Sequence, residues 1–183
     1  AEGGSVICKE ESYYFTDFRY IEAAQKNLPG FTVVMTDADH PYTKLINDAI
    51  AAHTVKPLGF EADSLTVEEY TLYNTKLNAV LHPYSAEINA PRQSKEPWEI
   101  EYKKKAQEIT DHTFEDLLNV IRPGMTEKEL CAELIYRLYK FGSEGPSFAP
   151  ITISGPNTSL PHGVPSAREL QYGDIVTMDF GCL

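Results

Sequence analysis

Apolar and polar positions change period several times along this chain, and each change predicts an element. Residues 6–8 and Ser12–Thr16 are short β-branched and aromatic runs that predict two strands, joined by the charged turn Lys9-Glu10-Glu11. From Phe18 to Asn27 the spacing becomes helical, and Pro29-Gly30 stops it. A third strand is predicted over Phe31–Met35. Pro41 then opens a helix with Leu45, Ile46, Ala49 and Ile50 along one face. A strand follows over residues 55–60. Thr66 and Glu69 have the spacing of a capping box, which starts a helix expected to run to about Val80. This strand–helix alternation predicts an α/β layered domain.

The texture changes at residues 89–97, a polar stretch bounded by prolines, and the domain boundary is placed there, giving domains 1–92 and 93–183. Beyond it a long amphipathic helix is predicted over residues 98–120, burying Ile100, Tyr102 or Ala106, Ile109, Thr113, Phe114 and Leu117. Arg122-Pro123-Gly124 breaks it, and Thr126 with Glu129 forms a second capping box. That box opens a helix through Leu130, Leu134, Leu138 and Phe141. Residues 144–168 are rich in Gly, Pro, Ser and Asn, with a strand expected near 148–153. Gly173-Asp174 turns the chain into a last strand over residues 175–180.

Composition narrows the function classes. With 183 residues, 16 Lys+Arg against 27 Asp+Glu and a net charge of −11, the chain has the balance of an ordinary globular protein. The acidic excess and the lack of a basic cluster argue against nucleic acid as a partner. The run Lys103-Lys104-Lys105 sits among glutamates and reads as a solvated helix face. No stretch is apolar and long enough to cross a membrane. Three cysteines, Cys8, Cys131 and Cys182, form no metal or disulfide spacing, and a reducing cytoplasm is expected.

Two residues stand out as candidates for chemistry. Asp179 lies in an otherwise apolar strand, sharing a face with Ile175 and Thr177, while Val176, Met178 and Phe180 share the other. A carboxylate there either needs a metal, a cation or N–H donors, or it sits at the strand end and orders the Gly181 turn. His162 lies in Pro161-His162-Gly163-Val164-Pro165, a loop stiffened by prolines and opened to close approach by Gly163. It reads either as a substrate-contacting imidazole or as a surface histidine. The nucleotide-binding glycine motifs, HExxH and the nucleophile elbow are all missing from the sequence.

Taken in order, several segments of the second half resemble the catalytic domain of Xaa-Pro aminopeptidases and prolidases. They are Ser147-Phe148-Ala149-Pro150-Ile151, Ser154-Gly155-Pro156-Asn157, Leu160-Pro161-His162-Gly163 and Gly173-Asp174-Ile175-Val176-Thr177-Met178-Asp179-Phe180-Gly181. Upstream, Thr16-Asp17-Phe18-Arg19-Tyr20, Gly59-Phe60-Glu61 and the run from Arg92 through Glu99-Ile100-Glu101 resemble the amino-terminal and interdomain parts of the same enzymes. The resemblance implies an α/β amino-terminal domain of the creatinase/prolidase type, with a ribonuclease-H-like layered sheet. The first half of an α+β pita-bread catalytic domain would follow it.

In that family the aspartate matching Asp179 bridges two divalent metal ions, Mn, Co or Zn. The histidine matching His162 contacts substrate and helps stabilise the tetrahedral intermediate without binding metal. A pair of metals sharing a hydroxide lowers its pKa and polarises the scissile carbonyl. The family's remaining ligands fall beyond the position of Leu183, so the chain is expected to be part of a longer protein and inactive by itself. Peptides with proline at the second position are the implied substrates, and a homodimer whose amino-terminal domain narrows access is the implied assembly. Two alternatives stay open: a creatinase-like hydrolase, or a non-catalytic, peptidase-like binding module of the kind found in a histone-chaperone subunit.

Overall fold

The computed structural model describes residues 3–183, and the chain divides into two compact units at Ser94–Lys95. In the first, β1 (Gly3–Ile7) pairs antiparallel with β2 (Ser12–Thr16), and β2 pairs parallel with β3 (Phe31–Met35). The parallel pairing needs a crossover, which α1 (Ile21–Asn27) supplies. The helix α2 (Tyr42–Ala52) starts after Pro41 and presents Leu45 and Ala49 to Val6 and Phe15, making this unit's core. Phe15 is almost fully buried there, with Tyr13 stacked beside it at a 6.1 Å ring separation.

A second, parallel pair, β4 (Pro57–Phe60) and β5 (Val80–Pro83), is connected by α3 (Val67–Lys76). The capping box at Thr66 and Glu69 is present: Glu69 N–H donates to Thr66 Oγ1 at 3.2 Å, and Thr66 N–H to the Glu69 carboxylate at 2.8 Å. The expected run of this helix to Val80 is not what forms. Leu77 is already extended, and the Asn47 side chain on α2 ends the helix by accepting from Asn78 N–H at 2.7 Å and donating to Lys76 O at 2.8 Å. Val80 is thereby released to start β5. The polar stretch near residue 90 is also more ordered than composition predicts, holding α4 (Ser85–Asn89) and a 3-10 turn (Ala90–Gln93).

The second unit is built on two helices. The first, α5 (Pro97–Leu117), starts with Pro97 at its first position; the second, α6 (Glu127–Lys140), opens on the Thr126/Glu129 capping box. Leu130, Leu134 and Leu138 repeat every four residues along α6 and are fully buried with Leu117, Met125 and Leu170. Arg137 anchors α6 to α5 through a 3.0 Å ion pair with Asp116, which also takes Lys140 at 3.2 Å. The buried stripe of α5 is narrower than its periodicity predicts. Ile109, Thr113 and Leu117 meet the core, whereas Ile100, Tyr102 and Phe114 are 43%, 66% and 41% exposed. Only the carboxy-terminal half of α5 lies against this unit's leucines.

Against the helices lies an antiparallel ribbon of β6 (Ile151–Ser154) and β7 (Val176–Asp179), with Ile151 opposite Asp179 and Ile153 opposite Thr177. The last strand is shorter than expected at both ends. Val176 and Met178 pack toward the leucine core, as their alternation requires. No described helix is long and apolar enough to cross a membrane.

Candidate functional site

The ribbon has two faces of different chemistry. Residues opposite each other in an antiparallel pair point to the same side, so Ile151, Ile153, Thr177 and Asp179 share one face. Thr152, Ser154, Val176 and Met178 share the other, which is the core face.

Asp179 is the last residue of β7 and is exposed on the open face. Among the described residues its carboxylate makes no hydrogen bond or ion pair, and none joins it to the Gly181 backbone. The turn-ordering reading of this residue therefore has no support in the geometry. An unpartnered carboxylate at a strand end is a hard oxygen donor that suits Mn²⁺, Co²⁺ or Zn²⁺ in chemistry. Yet among the described residues no group of three or more His, Cys, Asp or Glu side chains comes together. One carboxylate does not by itself fit a dinuclear centre.

His162 sits in the turn of a strap that leaves β6 at Ser154, forms a 3-10 turn over Gly155–Ser159 and returns at Ser166. Gly163 N–H closes the turn onto Leu160 O at 3.0 Å. Gly163 is buried against the open face: a Cβ there would fall 2.8 Å from Ile153 Cδ1 and 3.2 Å from Leu160 O. That contact fills the space above Ile153, which is 1% exposed. The His162 turn therefore lies on the same face as Asp179. The pair Ile153–Thr177 under the turn is about 7 Å along the strands from the pair Ile151–Asp179. His162 itself is exposed, with its imidazole unengaged by hydrogen bonds among the described residues.

The strap is held from the core face by a residue the sequence reading passed over. Glu127, at the first position of α6, is fully buried. Its Oε1 accepts from Ser154 N–H at 2.7 Å, Ser154 Oγ at 3.0 Å and Asn157 Nδ2 at 3.0 Å. Its Oε2 accepts from Ser166 N–H at 2.9 Å, Ser166 Oγ at 2.7 Å and Asn157 Nδ2 at 3.2 Å. Burial alone would raise this carboxyl's pKa, but the donors from Ser166, Asn157 and Ser154 outweigh it and hold the group down to about 2. Arg168 extends the network, donating to Ser154 Oγ at 2.5 Å and gripping Asp174 at 2.7 and 3.1 Å. Gly155 makes room for that pair: its φ is +51°, and a Cβ would lie 2.6 Å from both Arg168 Nη2 and Asp174 Oδ1.

A separate open groove of about 670 Å³ lies between α6 and the Pro146–Pro150 segment, lined by Cys131, Ile135, Phe148 and Pro165 among others. It is apolar, and neither His162 nor Asp179 lines it. The candidate site is the open ribbon face.

Comparison with known proteins identifies both units. The creatinase/prolidase N-terminal domain matches residues 2–94, and metallopeptidase family M24 matches residues 101–183. The peptidase YqhT of Bacillus subtilis is 33% identical over 180 residues, covering 98% of this chain and 50% of its own length. The structure of an Xaa-Pro dipeptidase from Bacillus anthracis superposes with a TM-score of 0.90 at 35% identity, over 100% of this chain and 51% of that one. The X-Pro aminopeptidase of Thermotoga maritima gives a TM-score of 0.89 at 28% identity, over 98% and 49%. The chain spans about half the length of these relatives. Its first unit has the creatinase/prolidase amino-terminal fold and its second is part of the M24 pita-bread domain. On these matches the chain belongs to the Xaa-Pro aminopeptidase/prolidase family, with its second unit in metallopeptidase family M24.

Proposed function

We propose that the whole protein is a metal-dependent exopeptidase specific for proline at the second position of its substrate, either removing the residue before proline from peptides or splitting Xaa-Pro dipeptides. The observation that carries this reading is the common face: the His162 turn packs on Ile153, and Asp179 projects from the same side of the ribbon one pair further along. Asp179 is read as one carboxylate ligand of two divalent cations, Mn²⁺, Co²⁺ or Zn²⁺, held in the whole protein. His162, exposed and free to donate, is read as the group that meets the substrate. The remainder of the protein would supply the other ligands, so residues 1–183 alone are read as inactive. A homodimer in the cytoplasm completes the reading, and the three unpaired cysteines fit a reducing compartment.

The test is a matched peptide panel. The whole protein, stripped with chelator and resupplied with Mn²⁺, is expected to release alanine from Ala-Pro and Ala-Pro-Xaa peptides and to leave Ala-Ala counterparts intact. Equal cleavage of both sets, or of neither, would refute the proposal. The ratio of dipeptide to tripeptide turnover then separates dipeptidase from aminopeptidase.

A further inference from the structure

Glu127 takes no part in the chemistry proposed above, yet its position ties it to His162. Every partner of its carboxylate is a donor, and the partners come from the two ends of the same strap. Ser154 and Asn157 stand before the His162 turn, and Ser166 stands after it. Oε1 serves chiefly the first end and Oε2 the second, with the Asn157 amide reaching both.

We propose that Glu127 is the positioning residue for His162: one buried carboxylate grips both feet of the 155–166 strap and so holds the turn against the open ribbon face. This rests on the reading of His162 as the substrate-facing group and deepens it.

The chemistry of the grip requires a carboxylate. Only an acceptor with lone pairs on two oxygens satisfies amide and hydroxyl donors arriving from both sides. An isosteric amide would aim its NH₂ at the N–H and O–H groups of one foot. The helix reinforces the Ser166 foot, because Glu127 N–H donates to Arg168 O at 3.0 Å and Lys128 N–H to Ser166 O at 3.1 Å. These are first-turn amides of α6 that have no partner within the helix. Pinning both feet at one point removes most of the freedom of the intervening loop, leaving the Gly163–Ile153 contact to set its height over the ribbon.

The experiment uses the whole protein and the substitution Glu127→Gln. Three readouts are taken: amide hydrogen exchange by segment, the ¹³C-labelled imidazole signal of His162 (assigned by its loss in His162→Asn), and kcat and KM on an Ala-Pro peptide. Exchange is expected to quicken at least tenfold more across residues 155–166 than across α6 and the β6–β7 ribbon. The His162 signal is expected to change in position or width as the turn that carries it is released. The turnover number should fall about 10²-fold with KM nearly unchanged, the cost of misplacing one group by about an ångström.

Unchanged exchange and an unchanged imidazole signal would overturn the proposal. So would exchange that rises evenly through the second unit, which would make Glu127 a support of the fold alone. Should Glu127→Gln not fold, Ser166→Ala and Asn157→Ala each loosen one foot. They are expected to give the same local rise in smaller measure, and no rise in either overturns the idea. If the parent protein cleaves no Xaa-Pro peptide, the functional reading fails, and exchange and imidazole signal still decide the role of Glu127.

Discussion

Glu127 and Asp179 are carboxylates on opposite sides of one two-stranded ribbon, and their surroundings give them opposite properties. Asp179 is exposed and unpartnered among the described residues. Glu127 is buried and saturated with donors, with its carboxyl held at about 2 against an ordinary 4.5. A carboxyl whose pKa is lower in the folded state adds stability above the unfolded value, and that stability fades as pH falls toward the folded one. Glu127→Gln should therefore destabilise the second unit by about 3 kcal/mol at neutral pH. The gap from the parent should close as pH falls from about 4.5 to about 2. Denaturant titrations of both proteins across that range check this, and a gap independent of pH would contradict it. Asp179 and His162 stood out in the sequence as candidates, because a polar residue in an apolar strand and a histidine between prolines break local pattern, but only the resemblance gave them roles. Glu127 did not stand out. It stands in a capping box whose Thr126 and Glu129 already account for the local sequence, and an acidic residue in a helix's first turn is ordinary. Only the return of the chain at Ser166 reveals what it holds.

At the scale of elements, the capped helices and the alternating strands were legible to within a few residues. Both capping boxes form, and the face division of β7 follows from its alternation. Where reading failed, a distant residue decided. The Asn47 side chain fixes the end of α3, and through it the start of β5, from 29 residues away. In α5 the apolar period was right but its depth was not, since periodicity names a face and not the length over which a partner covers it. The leucine row of α6 is the opposite case, with period and partner in agreement. Leu134→Ala is expected to cost about 3 kcal/mol, because a fully buried leucine leaves a cavity its rigid neighbours do not refill. A matching change at the exposed Tyr102 should cost less than about 0.5 kcal/mol. Chemical denaturation of the two variants separates these values, and equal losses would contradict the assigned core.

For the molecule as a whole, two units with separate cores carry two different matches, the creatinase/prolidase amino-terminal domain and metallopeptidase family M24. The order of these parts was legible because several short segments recur in sequence, each weak alone and specific together. A metal centre could be inferred only by resemblance, since one aspartate has no ligand spacing to measure, and within residues 3–183 no group of three or more potential ligands comes together. Asp179, on the face shared with the His162 turn, is proposed to help hold the metal on which proline-specific cleavage depends. The most direct measurement is Mn²⁺-dependent hydrolysis of an Ala-Pro peptide by the whole protein and by its Asp179→Ala variant, with bound metal quantified in both. The parent is expected to bind Mn²⁺ and cleave the peptide, while the folded variant loses bound metal and at least 10³-fold in activity, about 4 kcal/mol of transition-state stabilisation. A variant that keeps both its metal and its Xaa-Pro cleavage would contradict it.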